Sequence, residues 1–218
     1  FIWEGGRVMN ARTKITLLIC MTILCAAPFF LSPYHTTLLL PAIAYSIILL
    51  GFNLLFGYTG LLSFGHALFV AVGAYTVAIL TSRLGIRNME LIFLCAIGLS
   101  ILIAVPVGLI CVRYVRIFFG MLTLAFGMLF HSILFKFYDL SGGDSGIQVV
   151  RPFLFGQDLS SMDKTSFLVG PFFYYSIVIL SLLGVLMWRI VNSPMGMHFR
   201  AIRDNPRKAE YLGIQVHS

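Results

Sequence analysis

The side chains able to do chemistry are few, and they gather in two places. The first is a run of glycines and polar residues inside an apolar region: Asn53, Tyr58, Thr59, Ser63 and His66, interleaved with Gly51, Gly57, Gly60 and Gly65. Amide, hydroxyl and imidazole groups can hydrogen-bond a solute or a freed backbone group, and glycine lets the backbone turn where other residues resist it. Two readings stay open. The stretch is a broken helix beside a translocation path, because non-helical backbone at membrane depth survives only when it is buried in protein or lines a cavity. Alternatively its glycines are packing notches, with Ser and Thr bonding back to their own helix. Beyond this run, His131 in FGMLFHSIL reads as a helix–helix hydrogen bond.

The second place is the basic end of the chain, Arg189 to Ser218. Ser193-Pro194 is an N-cap followed by proline at the first helical position. Met195, Phe199 and Ile202 then share one helical face and Arg200, Arg203 and Arg207 another. Asn205-Pro206 offers a second start, and Gly213 a C-terminal stop. The expected result is two short helices at a membrane surface. A basic anchor on anionic lipid would explain the charge, but two capped helices with an apolar stripe exceed what an anchor requires and favour a docking surface.

Enzymatic chemistry finds no footing. No carboxylate pair, metal-ligand cluster or nucleophile–base pair has usable spacing, so no cofactor and no metal is expected. Cys20, Cys25, Cys95 and Cys111 lie in apolar runs and read as small core residues. In the loop DLSGGDSGIQ, Gly142, Gly143 and Gly146 predict consecutive turns, and the acid that would complete a calcium loop is missing. No GxxxxGK[ST] phosphate loop occurs, so ATP would have to be hydrolysed by another chain.

The elements that must hold these groups are membrane helices. Of 218 residues, 59% are apolar and 11% charged, against about 25% charged in ordinary soluble domains. Such a chain cannot cover a water-facing surface, which excludes a soluble enzyme or nucleic-acid-binding domain. The apolar runs are continuous, so a β-barrel is not expected. Six spans fit: 15–31, 37–56, 57–81, 91–112, 117–135 and 167–188, with an outer loop at 136–166. The predicted fold is an all-α, polytopic helical bundle, with one span broken. Small residues at Ala67, Ala71, Ala74 and Ala78 predict a packing face on the third span, and Pro106 predicts a kink in the fourth.

Charge orients the bundle. With the N-terminus inside, segments 1–14, 113–116 and 189–218 carry ten basic and three acidic residues, while the outer segments carry five of each. The net +7 therefore sits on one face, the positive-inside asymmetry. A signal peptide is an alternative for the first run, and the residues before Met9 read as upstream sequence. No Asp, Glu, Lys or Arg falls inside a span, which weighs against an ion-coupled carrier.

Three blocks now carry a resemblance. GFNLLFGYTGLLSFGHALFVAVGAYTVAIL (51–80) resembles the GxNLxxGYxGxxSxGHAxFxxxGAY signature of LivM-type permeases, inner-membrane subunits of ABC importers for branched-chain amino acids. FFGMLTLAFGMLFHSIL followed by SGGDSGI resembles that family's fifth span and outer loop, and SPMGMHFRAIRDNPRKAEYLGIQV its cytoplasmic loop. Leu61, Met128, Met197-His198 and Pro206-Arg207 depart from the family's commoner residues. The resemblance implies a path formed with a second permease subunit, cytoplasmic ATP-binding subunits and a periplasmic solute-binding protein as partners. It identifies 189–218 with the coupling loop that docks on the ATPases. Gly196, Ala201, Asp204, Asn205, Glu210 and Gly213 match that loop, with Arg200 and Arg203 beside them. It places Asn53, Gly57, Tyr58, Thr59, Gly60, Ser63, Gly65 and His66 by the path. Family members continue through further spans after the loop, so the chain is expected to be a C-terminally truncated member. Urea or sugar-like solutes share the same pattern. An ion-coupled carrier and a non-transporting fragment are the rival classes.

Overall fold

A computed structural model describes residues 11–114, 117–154, 156 and 162–213 of the chain. Helices dominate, and an isolated bridge pairs Asn88 with Phe153. We label the helices α1 (Ala11–Phe30), α2 (Pro33–Thr59), α3 (His66–Ser82), α4 (Met89–Cys111), α5 (Ile117–Lys136), α6 (Lys164–Asn192), α7 (Pro194–Asp204) and α8 (Pro206–Tyr211). Four of them, α2, α4, α5 and α6, are long and apolar enough to cross a membrane; α1 and α3 are shorter apolar helices. The chain is therefore an all-α, multi-pass membrane protein.

Among the described residues, α2 is π-wound over Leu54–Thr59 and α6 over Leu168–Phe172. In α6 the widening falls at Pro171, which has no N–H for the α pattern. Pro28, Pro41 and Pro106 lie inside α1, α2 and α4, which continue past them. Hydroxyls inside the helices bond back to their own turns, as Thr76 Oγ1 to the Val72 carbonyl at 2.6 Å and Ser181 Oγ to Ile177 at 2.8 Å. In a bilayer this removes a donor that no water would satisfy.

The chain forms two compact units. One joins residues 1–60 to 162–218. Its core is Ala27, Ile43, Phe173 and Ile177, with Leu24, Leu39, Leu40, Ile47 and Leu180 packed around them. These come from α1, α2 and α6, and Phe173 is fully buried. The Tyr174 hydroxyl donates to the Cys25 carbonyl at 3.4 Å, tying α6 to α1. Since α2 and α6 pack together midway and both end against α7, they run parallel.

The other unit is residues 61–161, built on α3, α4 and α5. Leu68, Val72 and Thr76 form the buried face of α3. The alanine stripe lies beside that face: Ala78 is buried, whereas Ala67 and Ala74 are exposed. An apolar cleft of about 390 Å³ opens between the three helices, bordered by Tyr75, Cys95, Leu99 and Phe130.

Several sequence expectations shift. Residues 57–59, expected to open the third span, wind onto the end of α2 instead. Of the four cysteines only Cys111 is buried; Cys20, Cys25 and Cys95 lie on exposed helix faces. In a membrane protein, lipid can supply the apolar surroundings that a soluble protein finds only in its core. His131 is exposed and its ring sits 4.6 Å from the Phe135 ring on the same helix, rather than bonding across helices. The glycine turns at 142, 143 and 146 form as expected, all at positive φ.

Candidate functional site

Part of the glycine-rich run, Asn53 to Gly60, meets the basic tail in the first unit. At the end of α2, Gly60 adopts φ 73, the left-handed conformation that glycine accepts without strain. Its N–H returns to the Leu55 carbonyl, and the Thr59 hydroxyl donates to the same oxygen at 2.5 Å. Such an ending leaves other carbonyls of the last turn without helical partners. The Gly57 carbonyl is one of them, and the Arg203 guanidinium donates to it through Nη1. Tyr58 is buried, with the Arg200 guanidinium 5.9 Å from its ring centre, within cation–π reach. Asn53, one turn back, has an exposed side chain whose Oδ1 sits 2.5 Å from where a Gly57 Cβ would be.

Arginine is also used at the second helix end. Arg200 Nη2 donates to the Val191 carbonyl of α6 at 3.5 Å and its Nε to the Gly196 carbonyl at 3.3 Å. One turn apart on α7, Arg200 and Arg203 thus cap the C-termini of two parallel helices. Cations at a helix C-terminus meet both its free carbonyls and the negative end of its dipole. The helix α7 is a crossbar bolted across the ends of α2 and α6.

Glycines let the crossbar approach. A Cβ on Gly196 would collide with the Val191 carbonyl oxygen and come within 2.6 Å of the Val191 carbonyl carbon and 2.8 Å of the Ile190 oxygen. A Cβ on Gly60 would lie 2.6 Å from Arg203 Cγ. Ala201 is half-buried on α7, and Asp204 pairs with Arg203 at 3.3 Å in an exposed position. Asn205 caps α8, its side chain accepting from the Lys208 N–H at 3.1 Å. Exposed Glu210 offers its carbonyl to the Gly213 N–H at 2.9 Å, and Gly213 ends the helix at φ 81. Ser193 sits at the α7 cap position, but its hydroxyl bonds backward to Ile190 at 2.6 Å. The outer surface of this tail is rich in exposed apolar side chains: Met195, Met197, Tyr211 and Leu212, the last two 89% and 79% exposed.

Ser63, Gly65 and His66 belong to the second unit. Residues 60–64 have no helical backbone, and α3 starts at His66. There the Phe64 N–H donates to Thr123 Oγ1 at 3.2 Å, while Thr123 donates to the Gly120 carbonyl at 2.9 Å. The Gly65 N–H donates to buried Ser63 Oγ at 3.3 Å. A Cβ on Gly120 would be 3.0 Å from the Leu62 carbonyl, and one on Gly65 would be 3.1 Å from the Thr123 carbonyl. Gly120 and Thr123 on α5 therefore hold the unwound segment, a role that sequence reasoning missed. Their i, i+3 spacing in FFGMLT puts both on one face, but nothing local says what that face touches.

The sequence of this chain matches the family model described as branched-chain amino acid transport system / permease component over residues 34–218. No solved structure matches. The high-affinity branched-chain amino acid transport system permease proteins LivM of Salmonella typhimurium and Escherichia coli are each 27% identical to it over 225 residues, covering 94% of this chain. The chain spans about half, 52%, of the length of these curated relatives. The family match takes in the end of α2, the unwound segment and the whole described crossbar, so the chain belongs to the branched-chain amino acid transport system permease family.

Proposed function

We propose that this chain is a permease subunit of an ATP-driven importer, most directly of branched-chain amino acids, in a bacterial inner membrane. It forms the translocation path with a second permease subunit, receives solute from a periplasmic binding protein and is driven by cytoplasmic ATP-binding subunits. The N-terminal segment 1–14 and the loop 189–218 lie on the cytoplasmic side, in keeping with the positive charge of that face. The spans lie within 15–188.

The crossbar carries this reading. A surface anchor would leave its arginines to lipid phosphates, whereas Arg200 and Arg203 donate to carbonyls at the ends of α6 and α2, and Met195, Met197, Tyr211 and Leu212 are exposed. Flexible methionines and exposed aromatics suit a partner groove. Force applied there reaches α2 and α6 together. At about 1.5 Å per residue, the 27 residues of α2 span about 40 Å, beyond a hydrocarbon core of about 30 Å. Gly57 to Gly60 then reach the cytoplasmic interface. In this reading Asn53, Gly57, Tyr58, Thr59, Gly60, Ser63, Gly65 and His66 border the inner end of the path.

The test is uptake by vesicles containing this chain with its partner permease, ATPases and binding protein. Leucine should accumulate on ATP addition, and scrambling residues 193–213 should abolish accumulation. Normal uptake with the scrambled segment would remove the coupling role, and uptake of urea or a sugar in place of leucine would reassign the solute.

A further inference from the structure

We propose that Arg203 is the transmission residue of this subunit: it carries movement of α7 into α2, with Gly60 as the hinge, while Arg200 keeps α7 registered on α6. The proposal deepens the permease reading and rests on it. A cytoplasmic helix that follows directly after a span would be expected to pull on that span alone. Here α7 follows α6 through Ser193, yet its second attachment is to a helix end 146 residues away in sequence, at the Gly57 carbonyl.

The two arginines hold in different ways. Arg200 is half-buried, and its guanidinium bonds to carbonyls at the α6 end and on α7 itself, besides facing the Tyr58 ring. Those bonds stay within one continuous stretch of chain, residues 191–200, and move as a body. Arg203 reaches across to the last turn of α2, where the chain leaves the helix. Its stem lies over Gly60, close enough that any Cβ there would collide. Gly60 stands at positive φ between a π-wound turn and non-helical backbone. π-wound turns recur at functional sites within helices, and glycine has the widest choice of backbone angles. A pull at the Gly57 carbonyl therefore acts on the π-wound turn that ends at Gly60. Asp204 holds the other edge of the same guanidinium from the surface, through Nε and Nη2 at 3.3 Å. This leaves Nη1 to the carbonyl. Arg203 is a positioning residue, acting through the α2 end.

Two readouts separate this role from a merely structural one. In lipid nanodiscs holding the full chain without partners, hydrogen exchange across 57–61 should quicken about tenfold in R203A, the loss of one charge-assisted bond. R203K, which keeps a donor, should lie between R203A and wild type. R207A, exposed on α8, should match wild type, and amides in the middle of α4 should be unchanged in every variant. In the reconstituted transporter, R203A should keep ATP hydrolysis while uptake falls about tenfold, and R203K should recover a substantial part of it. Unchanged exchange in R203A would overturn the contact, and unchanged uptake would overturn the transmission role. If wild type itself takes up no solute while the exchange pattern holds, the permease reading fails and the latch between α7 and α2 stands.

Discussion

Replacing Gly196 by alanine should loosen the crossbar, even though alanine is the better helix former. The new methyl meets only backbone: the Val191 carbonyl, with its carbon at 2.6 Å, and the Ile190 oxygen at 2.8 Å. No flexible side-chain end can give way, so α7 must lift from the end of α6. Lifting strains or breaks the Arg200 bond to the Val191 carbonyl of α6, worth about 1.5–3 kcal/mol for a charged donor. Against that stands a helix-propensity gain of about 1 kcal/mol. The net loss is then about 0.5–2 kcal/mol, a roughly two- to thirtyfold fall in the ratio of docked to undocked α7. Hydrogen exchange over residues 197–204 in nanodiscs reads that ratio. Gly184→Ala is the control, since a Cβ there meets nothing within 4 Å, and it should leave the same amides as slow or slower. Wild-type exchange in Gly196→Ala would refute the argument that α7 needs this close approach.

Gly60→Ala should cost about 1–2 kcal/mol from the left-handed backbone alone, with displacement of Arg203 in addition, whereas Gly51→Ala, inside α2 where a Cβ meets nothing within 4 Å, should leave stability unchanged or raise it by up to about 1 kcal/mol; thermal unfolding in detergent compares them. Thr123→Val should leave the Phe64 N–H without its acceptor and speed exchange at that amide by about tenfold, and Thr123→Ser should restore it. Asn205→Ala removes the side chain that accepts from the Lys208 N–H. It should destabilise α8 by about 1 kcal/mol, seen as faster exchange over 206–211 with α7 unaffected.

The apolar runs foretold the long helices because a bilayer demands about 20 apolar residues per crossing. Charge is confined to the helix ends and loops for the same reason. The boundary between the second and third runs was less legible. Gly57 and Gly60 look alike in sequence, but only Gly60 takes the left-handed turn that ends α2. The tail helices were readable from Ser193-Pro194, Asn205-Pro206 and Gly213, since caps are local signals. Which face of α7 turns inward was not. The heptad-like pattern separates the arginine face from the apolar stripe, but its acceptors are carbonyls of Gly57 and Val191, and backbone acceptors leave no mark on composition. Thr123 and Gly120 stayed hidden for the same reason, their partners being the backbone of Leu62, Phe64 and Gly65.

In the proposed function, an ATP-driven stroke enters through the crossbar and opens a path for branched-chain amino acids. The most direct measurement is leucine uptake into proteoliposomes holding this chain with the second permease, the ATP-binding subunits and the binding protein, beside vesicles carrying R203A. Wild-type vesicles should accumulate leucine only with ATP, while R203A vesicles hydrolyse ATP and accumulate roughly one tenth as much. Equal accumulation without ATP, or by vesicles lacking this chain, would rule out an ATP-driven path through this subunit.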